Sequence, residues 1–207
     1  MDVSSAIHAR RAVPSFDSSV EISLDELVAL MNEANLAPSA MNLQPWEFLV
    51  CHTIEDKKRL QAVSYQQAKV AEASAVVVVL GNLQHHHHAP RIADENVKSG
   101  VLPEDRRDAW VAGAVGAYEG LAQKQRDEVL RGGSLWAMTF MYQALECGWD
   151  TAPMGGFEAD KLVKEFGVPD THVPVIMVAI GKRNPDVEIR PRSYRIPASD
   201  LIHLGNF

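Results

Sequence analysis

The chain has 207 residues, 46% of them hydrophobic, and a formal net charge of -7, enough to bury one substantial core and to suggest a single domain over residues 1–207. The acidic balance argues against general nucleic-acid binding, whose phosphate contacts need an excess of Lys and Arg. No amino-terminal apolar run resembles a signal peptide, and the longest apolar runs are of strand length, too short to span a bilayer. Only two cysteines, Cys51 and Cys147, occur; each has apolar neighbours, so buried, reduced thiols in a cytoplasmic protein are expected.

In chain order, residues 2–11 read as a short helix with Ile7 inward, running into Arg10 and Arg11. Ser23 with Glu26 three residues on forms a capping box. The helix it opens carries Leu24, Leu27, Val28, Met31 and Ala34 at helical spacing and stops before Pro38. Residues 47–52 alternate enough to form a strand, and 56–73 read as one mostly polar helix. The β-branched run 75–80, ended by Gly81, predicts a strand buried on both faces. Residues 82–103 show no period and contain four consecutive histidines, His85 to His88. Adjacent side chains on an extended loop diverge, so a solvated loop without a metal site is expected there.

Residues 104–123 read as a helix whose many Ala and Gly positions let another helix approach. Ser134 caps a helix over 135–147, ended by Gly148 and apolar almost all round, which belongs in a core or an interface. A Pro-Met-Gly-Gly-Phe turn follows at 153–157, then a short helix to Phe166 stopped by Gly167, then an apolar strand over 173–180. The tail carries Arg190, Arg192 and Arg195 and ends in a short strand over 200–204.

Three stretches suit a planar, phosphorylated ligand. Between Pro38 and Pro45, Ser39, Asn42 and Gln44 offer donors and acceptors on a turn held by two prolines, as a flat heterocycle requires. Arg10 and Arg11, if they meet the tail arginines, would hold a phosphate through bidentate guanidinium contacts. Gly155 and Gly156 allow backbone N–H groups to approach a ring edge with no side chain in the way. Nothing in the chain forms a convincing catalytic triad.

The Arg10-Arg11 opening, the Pro38-Ser39-x-x-Asn42-x-Gln44-Pro45-Trp46 loop, the Pro153-x-Gly155-Gly156-Phe157 turn and the late Arg195-x-Pro197 resemble the FMN-dependent nitroreductases, in order and over nearly the whole chain. The resemblance implies an α+β fold with a small, mainly antiparallel sheet flanked by helices. It also implies an obligate homodimer with FMN at the subunit interface and the carboxy-terminal strand exchanged to the partner. In the family pattern, Arg10, Arg192 and Arg195 match or adjoin phosphate-binding positions, and Arg11 lies near the ribityl chain and phosphate. Pro38, Ser39, Ala40 and Asn42 line the flavin pocket, partly from the partner, and Gln66 meets the pyrimidine edge of the ring. The 153–156 turn (Pro153, Met154, Gly155, Gly156) faces flavin N5. The chain departs from the pattern at Ala12, a cofactor-adjoining position where a serine is frequent, and at Pro14, where Arg or Lys is frequent. Lys69, three residues beyond Gln66 and so on the same face of the expected helix, becomes the candidate for the missing cation.

The implied activity is reduction of nitroaromatics, quinones or similar electron-poor acceptors by NADH or NADPH in a ping-pong cycle. The chemistry would be carried by the flavin, without a side-chain nucleophile or acid–base pair. Other flavin chemistry on the same fold, such as reductive dehalogenation or flavin breakdown, and a non-catalytic FMN-binding role are the competing classes.

Overall fold

The computed structural model describes residues 1–206. Twelve regular elements follow in order: α1 Val3–Ala9, α2 Leu24–Ala34, β1 Trp46–Cys51, α3 Ile54–Ala62, α4 Ala68–Glu72, β2 Ala75–Asn82, α5 Ala89–Lys98, α6 Arg107–Gly116, α7 Ala122–Glu146, β3 Asp150–Met154, α8 Ala159–Phe166 and β4 His172–Gly181. The strands form one antiparallel sheet in the order β1-β2-β4-β3. The expected α+β architecture is therefore present, with β2 and β4 central.

The alternation within β2 divides the interior in two. Successive side chains of a strand point to opposite faces. Ala75, Val77 and Val79 join Leu27 and Leu30 of α2 and Trp136 and Phe140 of α7 on one side. On the other, Val76, Val78 and Leu80 meet Leu60 of α3, Val70 of α4 and Leu162 of α8. Every residue of β2 is buried, as a strand covered on both faces requires. A third, smaller cluster around Leu43, Ala89, Ala114 and Tyr118 holds α5 and α6 to the loop before β1.

Several expectations give way. The helix expected over 56–73 is two helices, because Tyr65 and Gln66 adopt positive φ, 54° and 56°, a conformation that cannot continue a right-handed helix. Residues 82–103 are not an unstructured loop: His85–His88 form a 3₁₀ turn leading into α5, whose first turn contains Pro90, a favoured place for proline. The helix expected over 104–123 ends near Gly116, and Gly120 at φ 71° turns the chain into α7. The edge strand β3 covers residues expected to be only a turn; Pro153 is tolerated there because an edge need not donate on its outer side.

Ser134 does not cap a new helix. It lies inside the 25-residue α7 and its hydroxyl donates back to Leu130 O at 2.7 Å. The glycines beside it serve close packing. A Cβ on Gly132 would stand 2.6 Å from Pro45 Cγ, and one on Gly133 about 3.1–3.2 Å from Val175 and Val79. Of the small residues expected to admit a neighbour in 104–123, Ala114 does so, fully buried with Ala89 of α5, whereas Gly113 and Gly116 have nothing within 4 Å.

The capping box is half formed. Ser23 Oγ accepts from Glu26 N at 3.1 Å, while the Glu26 carboxylate accepts from Trp149 Nε1 at 2.7 Å. Residues 191–206 are exposed throughout, and Ala198–Asp200 make a 3₁₀ turn where a strand was expected over 200–204. A strand needs a neighbouring ladder, and within one chain this segment has none. No described helix is long and apolar enough to cross a membrane.

The two kinds of glycine should respond oppositely to alanine. Gly132→Ala should lower stability by about 1–3 kcal/mol through overpacking against Pro45, whereas Gly113→Ala should raise it by roughly 0.5–1 kcal/mol. Urea unfolding midpoints of the two variants should move in opposite directions.

Candidate functional site

The arginine clusters at the two ends of the sequence meet. After α1 the chain runs beside β3: Val13 N donates to Thr151 O at 3.2 Å, and Ala12 bridges Thr151. The tail returns over this segment. Arg192 Nη2 donates to His8 O and Arg10 O at 2.8 and 3.0 Å, and Arg11 Nη2 donates to Arg190 O at 2.6 Å. The resulting cleft of about 540 Å³ is lined by Arg10, Arg11, Ala12, Pro14, Glu188, Arg190, Arg192 and Arg195. Arg195 Nη1 folds back onto Ser193 O and Oγ at 2.9 and 2.8 Å. Among the described residues, none of these guanidinium groups is paired with a carboxylate. Converging guanidinium groups that outnumber the one carboxylate in the cleft, Glu188, and are not ion-paired with it are a donor set suited to phosphate.

The Gly155–Gly156 turn leaves the far end of β3. A Cβ on Gly155 would meet nothing within 4 Å, so its backbone is open to an approaching group. Met154 is 5% exposed and packed in the core, which leaves only its backbone for any ligand; Pro153 is half-buried. The turn is held from behind by a residue the sequence reading passed over. Gln67 Nε2 donates to Gly156 O at 2.8 Å and to Ser64 O at 3.0 Å, and Glu158 N donates to Val63 O at 2.9 Å. Gln66 stands exposed in that same tight turn. It lies outside α4 and so does not share a helix face with Lys69, contrary to the expectation that the two side chains reach one rim of a ring together.

The amide-rich loop is elsewhere. Ser39 Oγ accepts from Gln44 N at 3.0 Å, and Met41, Asn42 and Gln44 all have positive φ. For Met and Gln in particular such a conformation is held at a cost of order 1–3 kcal/mol, and residues in it gather at ligand sites. Asn42 and Gln44 line a cavity of about 390 Å³ with Asn35, Trp46, Phe48, His88 and Arg91; Pro38 and Ala40 are exposed beside it. This loop enters edge strand β1 at Trp46, level with Gly81 and, through it, Val173. The arginine cleft adjoins Thr151 on the other edge strand, level with Ile180. The two groups thus occupy diagonal corners of the sheet, roughly 14 Å apart across the strands and on the order of 20 Å along them. One chain brings Arg10, Arg11, Arg192 and Arg195 together and does not bring Pro38, Ser39, Ala40 or Asn42 to them.

The sequence matches the model of the nitroreductase family over residues 7–182. The chain belongs to the nitroreductase family. It is 35% identical to YodC of Bacillus subtilis, provisionally named an NAD(P)H nitroreductase, over 94% of this chain and 95% of that one. It is 31% identical over 185 residues to the CLA biosynthesis enone reductase of Lactiplantibacillus plantarum, covering 87% of this chain and 85% of the relative. A provisionally assigned nitroreductase from Exiguobacterium sibiricum, solved in complex with FMN, superposes with a TM-score of 0.91 at 34% identity, covering 98% and 97% of the two chains.

Within this nitroreductase fold the histidine run is largely structural, with only His87 exposed. His85 and His86 are buried at 0% and 1% exposure. His85 Nδ1 lies 3.1 Å from Asn82 O, its ring lies edge-on to Tyr118, and His88 Nδ1 lies 3.0 Å from Leu43 O. The run therefore ties the α5 segment to the amide-rich loop. The thiols also differ from each other. Burial pushes Cys51 up to about 12, making it inert, whereas Cys147 is exposed, contrary to the expectation that both are buried.

Burial pushes the His85 imidazole down from 6.5 to about 4, so the unfolded chain takes up this proton first. The contribution of neutral His85 is fully present above about pH 6.5 and declines as pH falls from there towards 4. It amounts to a loss on the order of 2–3 kcal/mol. The gap in urea stability between His85→Phe and the parent chain should change in that window, with the variant losing less on acidification.

Proposed function

We propose that this chain is an FMN-dependent oxidoreductase that uses NADH or NADPH to reduce nitroaromatics, quinones or similar electron-poor acceptors, working as a homodimer. The observation that carries the reading is the arginine cleft, where Arg10, Arg11, Arg192 and Arg195 surround one space with no carboxylate partner. Its chemistry fits a phosphate monoester, and among the described residues no glycine-rich strand-to-helix turn offers a pyrophosphate site, which favours FMN over FAD. When bound, FMN would carry two electrons from the nicotinamide donor to the acceptor in a ping-pong cycle. The chain's part is to hold the phosphate with guanidinium groups and to present the Gly155–Gly156 turn, open at Gly155, to the ring edge. Gln67 keeps that turn in place.

The separation of the half-sites supports the dimer. A two-fold axis can set the Pro38–Asn42 loop of one chain against the arginine cleft of its partner, which a single chain cannot do. Apolar surface is available for the contact. Leu135, Met138, Tyr142 and Leu145 follow one another at helical spacing along the outer side of α7, Leu135 being 42% exposed, while Val3 and Leu36 beside it are 76% and 80% exposed. The tail adds Ile196, Leu201, Ile202 and Leu204, each more than half exposed. Contiguous apolar surface of this kind marks an interface. The enone reductase among the relatives widens the acceptor class to activated carbon–carbon double bonds.

Flavin released by heat should run as FMN on chromatography, and NADH or NADPH should bleach the bound flavin, with colour restored by a quinone or nitroarene. FAD, or a colourless protein that binds no flavin, would overturn the assignment. Arg195→Ala should weaken FMN binding about ten- to a hundredfold, the effect of losing a charge-assisted hydrogen bond contributing roughly 1.5–3 kcal/mol, as measured by titrating the apoprotein. Sedimentation should show a dimer at nanomolar concentration, and a chain ending at Ser199 should lose solubility and flavin together.

A further inference from the structure

We infer that His86, His87 and Glu119 form a binding site for a divalent transition-metal ion, with Zn²⁺ the best fit among biologically common ions. The three side chains offer one ligand atom each within 4.8 Å of one another. His86 Nε2 lies 2.8 Å and His87 Nε2 3.4 Å from the same Glu119 oxygen, Oε2. Two neutral imidazoles and a carboxylate are a donor set that zinc accepts, with bonds of about 2.0–2.2 Å and ligand atoms about 3.3 Å apart in a tetrahedron. The His86–Glu119 distance would open slightly and the two imidazole nitrogens, within 4.8 Å, would settle to that spacing, adjustments that Glu119 and His87, 61% and 56% exposed, can make.

The divergence expected of neighbouring histidines does not occur, because the run is a 3₁₀ turn and not an extended loop. The His86 and His87 ring centroids lie 4.4 Å apart, inclined at 63°, with both Nε2 atoms directed to Glu119 at the end of the α6 segment. The burial of His86 bears on the tautomer that an ion would select. His86 is 1% exposed, and its Nδ1 has no hydrogen-bond partner. With Nε2–H donating to Glu119, Nδ1 is a bare buried acceptor; with Nε2 on a metal, Nδ1 carries the proton and is a bare buried donor. Neither tautomer satisfies Nδ1, so the proton shift that metal binding requires sacrifices no hydrogen bond at that atom. In place of the single hydrogen bond at Nε2, an ion would supply bonds to three groups.

The three ligands leave at least one position of a tetrahedral ion open to water on the side of exposed His87. The ion would tie the segment after α6 to the turn before α5, the turn that also contacts Leu43 O through His88. It is therefore a fastener for the 82–121 segment, away from the arginine cleft.

The test is calorimetric titration of Zn²⁺ into the full-length protein as purified and freed of metal by a chelator. Thermal unfolding is followed with and without the ion, for the parent chain, His87→Ala and Glu119→Gln. Both substituted side chains are more than half exposed, so the variants should fold, and circular dichroism checks that they do. The expected result is one Zn²⁺ per chain, an affinity at least tenfold weaker in each variant, and a zinc-induced rise in Tm of roughly a few degrees that both variants lose. No binding to the parent chain, or binding that neither variant changes (an adventitious ion only), would overturn the site.

Discussion

The two-sided burial of β2 is the constraint on which the rest of the structure depends. A strand with apolar side chains on both faces must be covered on both, and no single layer of helices can do that. Its alternation therefore sorts the helices: α2 and α7 to one side, α3, α4 and α8 to the other. The contact with α7 is unusually close. A Cβ on Gly81 would stand 2.5 Å from Val129 Cβ, and α7 meets the chain again through its own Gly132 and Gly133. Glycines on both partners thus fix how near the longest helix lies to the sheet, and hence where its outer apolar stripe emerges.

That packing also explains why the candidate site is divided. Residues 12–16 are drawn alongside β3 and β4 by Val13 and by the Phe16–Arg183 bridge, which carries Arg10 and Arg11 to one corner of the sheet. The amide-rich loop is fixed at the opposite corner by Trp46 and by the third apolar cluster. Neither can drift towards the other without unpairing an edge strand. Completion of the site by a second copy is thus the proposal the sheet geometry favours, and the exposed tail offers that copy apolar surface at Ile196, Leu201, Ile202 and Leu204.

Much of this was legible in the sequence where one local rule had no competitor. The β-branched run of β2, the Ser23 cap and the Gly167 stop each have a single physical reading, and each holds. The resemblance carried by the loop, the glycine turn and the arginines named the family correctly. What was not legible were features that depend on distant partners. Gly132-Gly133-Ser134 reads locally as a helix break, and only the nearness of Pro45, Val79 and Val175 makes it an interior contact. Residues 63–67 read as helix because nothing local announces positive φ at Tyr65 and Gln66. Gln67 gave no signal beyond being an amide next to another amide. The burial of His85 and His86 follows from Tyr118 and Asn82 closing over them, which no pattern within the run could reveal.

Of the four tryptophans, three direct their indole N–H at one helix. Trp46 and Trp136 share Asn35 Oδ1, at 3.2 and 2.8 Å, and Trp149 donates to Glu26 at the helix's other end. The intrinsic fluorescence of this protein is therefore dominated by an optical report on the seating of α2. An opening of that helix alone would alter the emission of three chromophores while most of the backbone circular dichroism stayed in place. A difference between the two signals would then separate this local equilibrium from global unfolding.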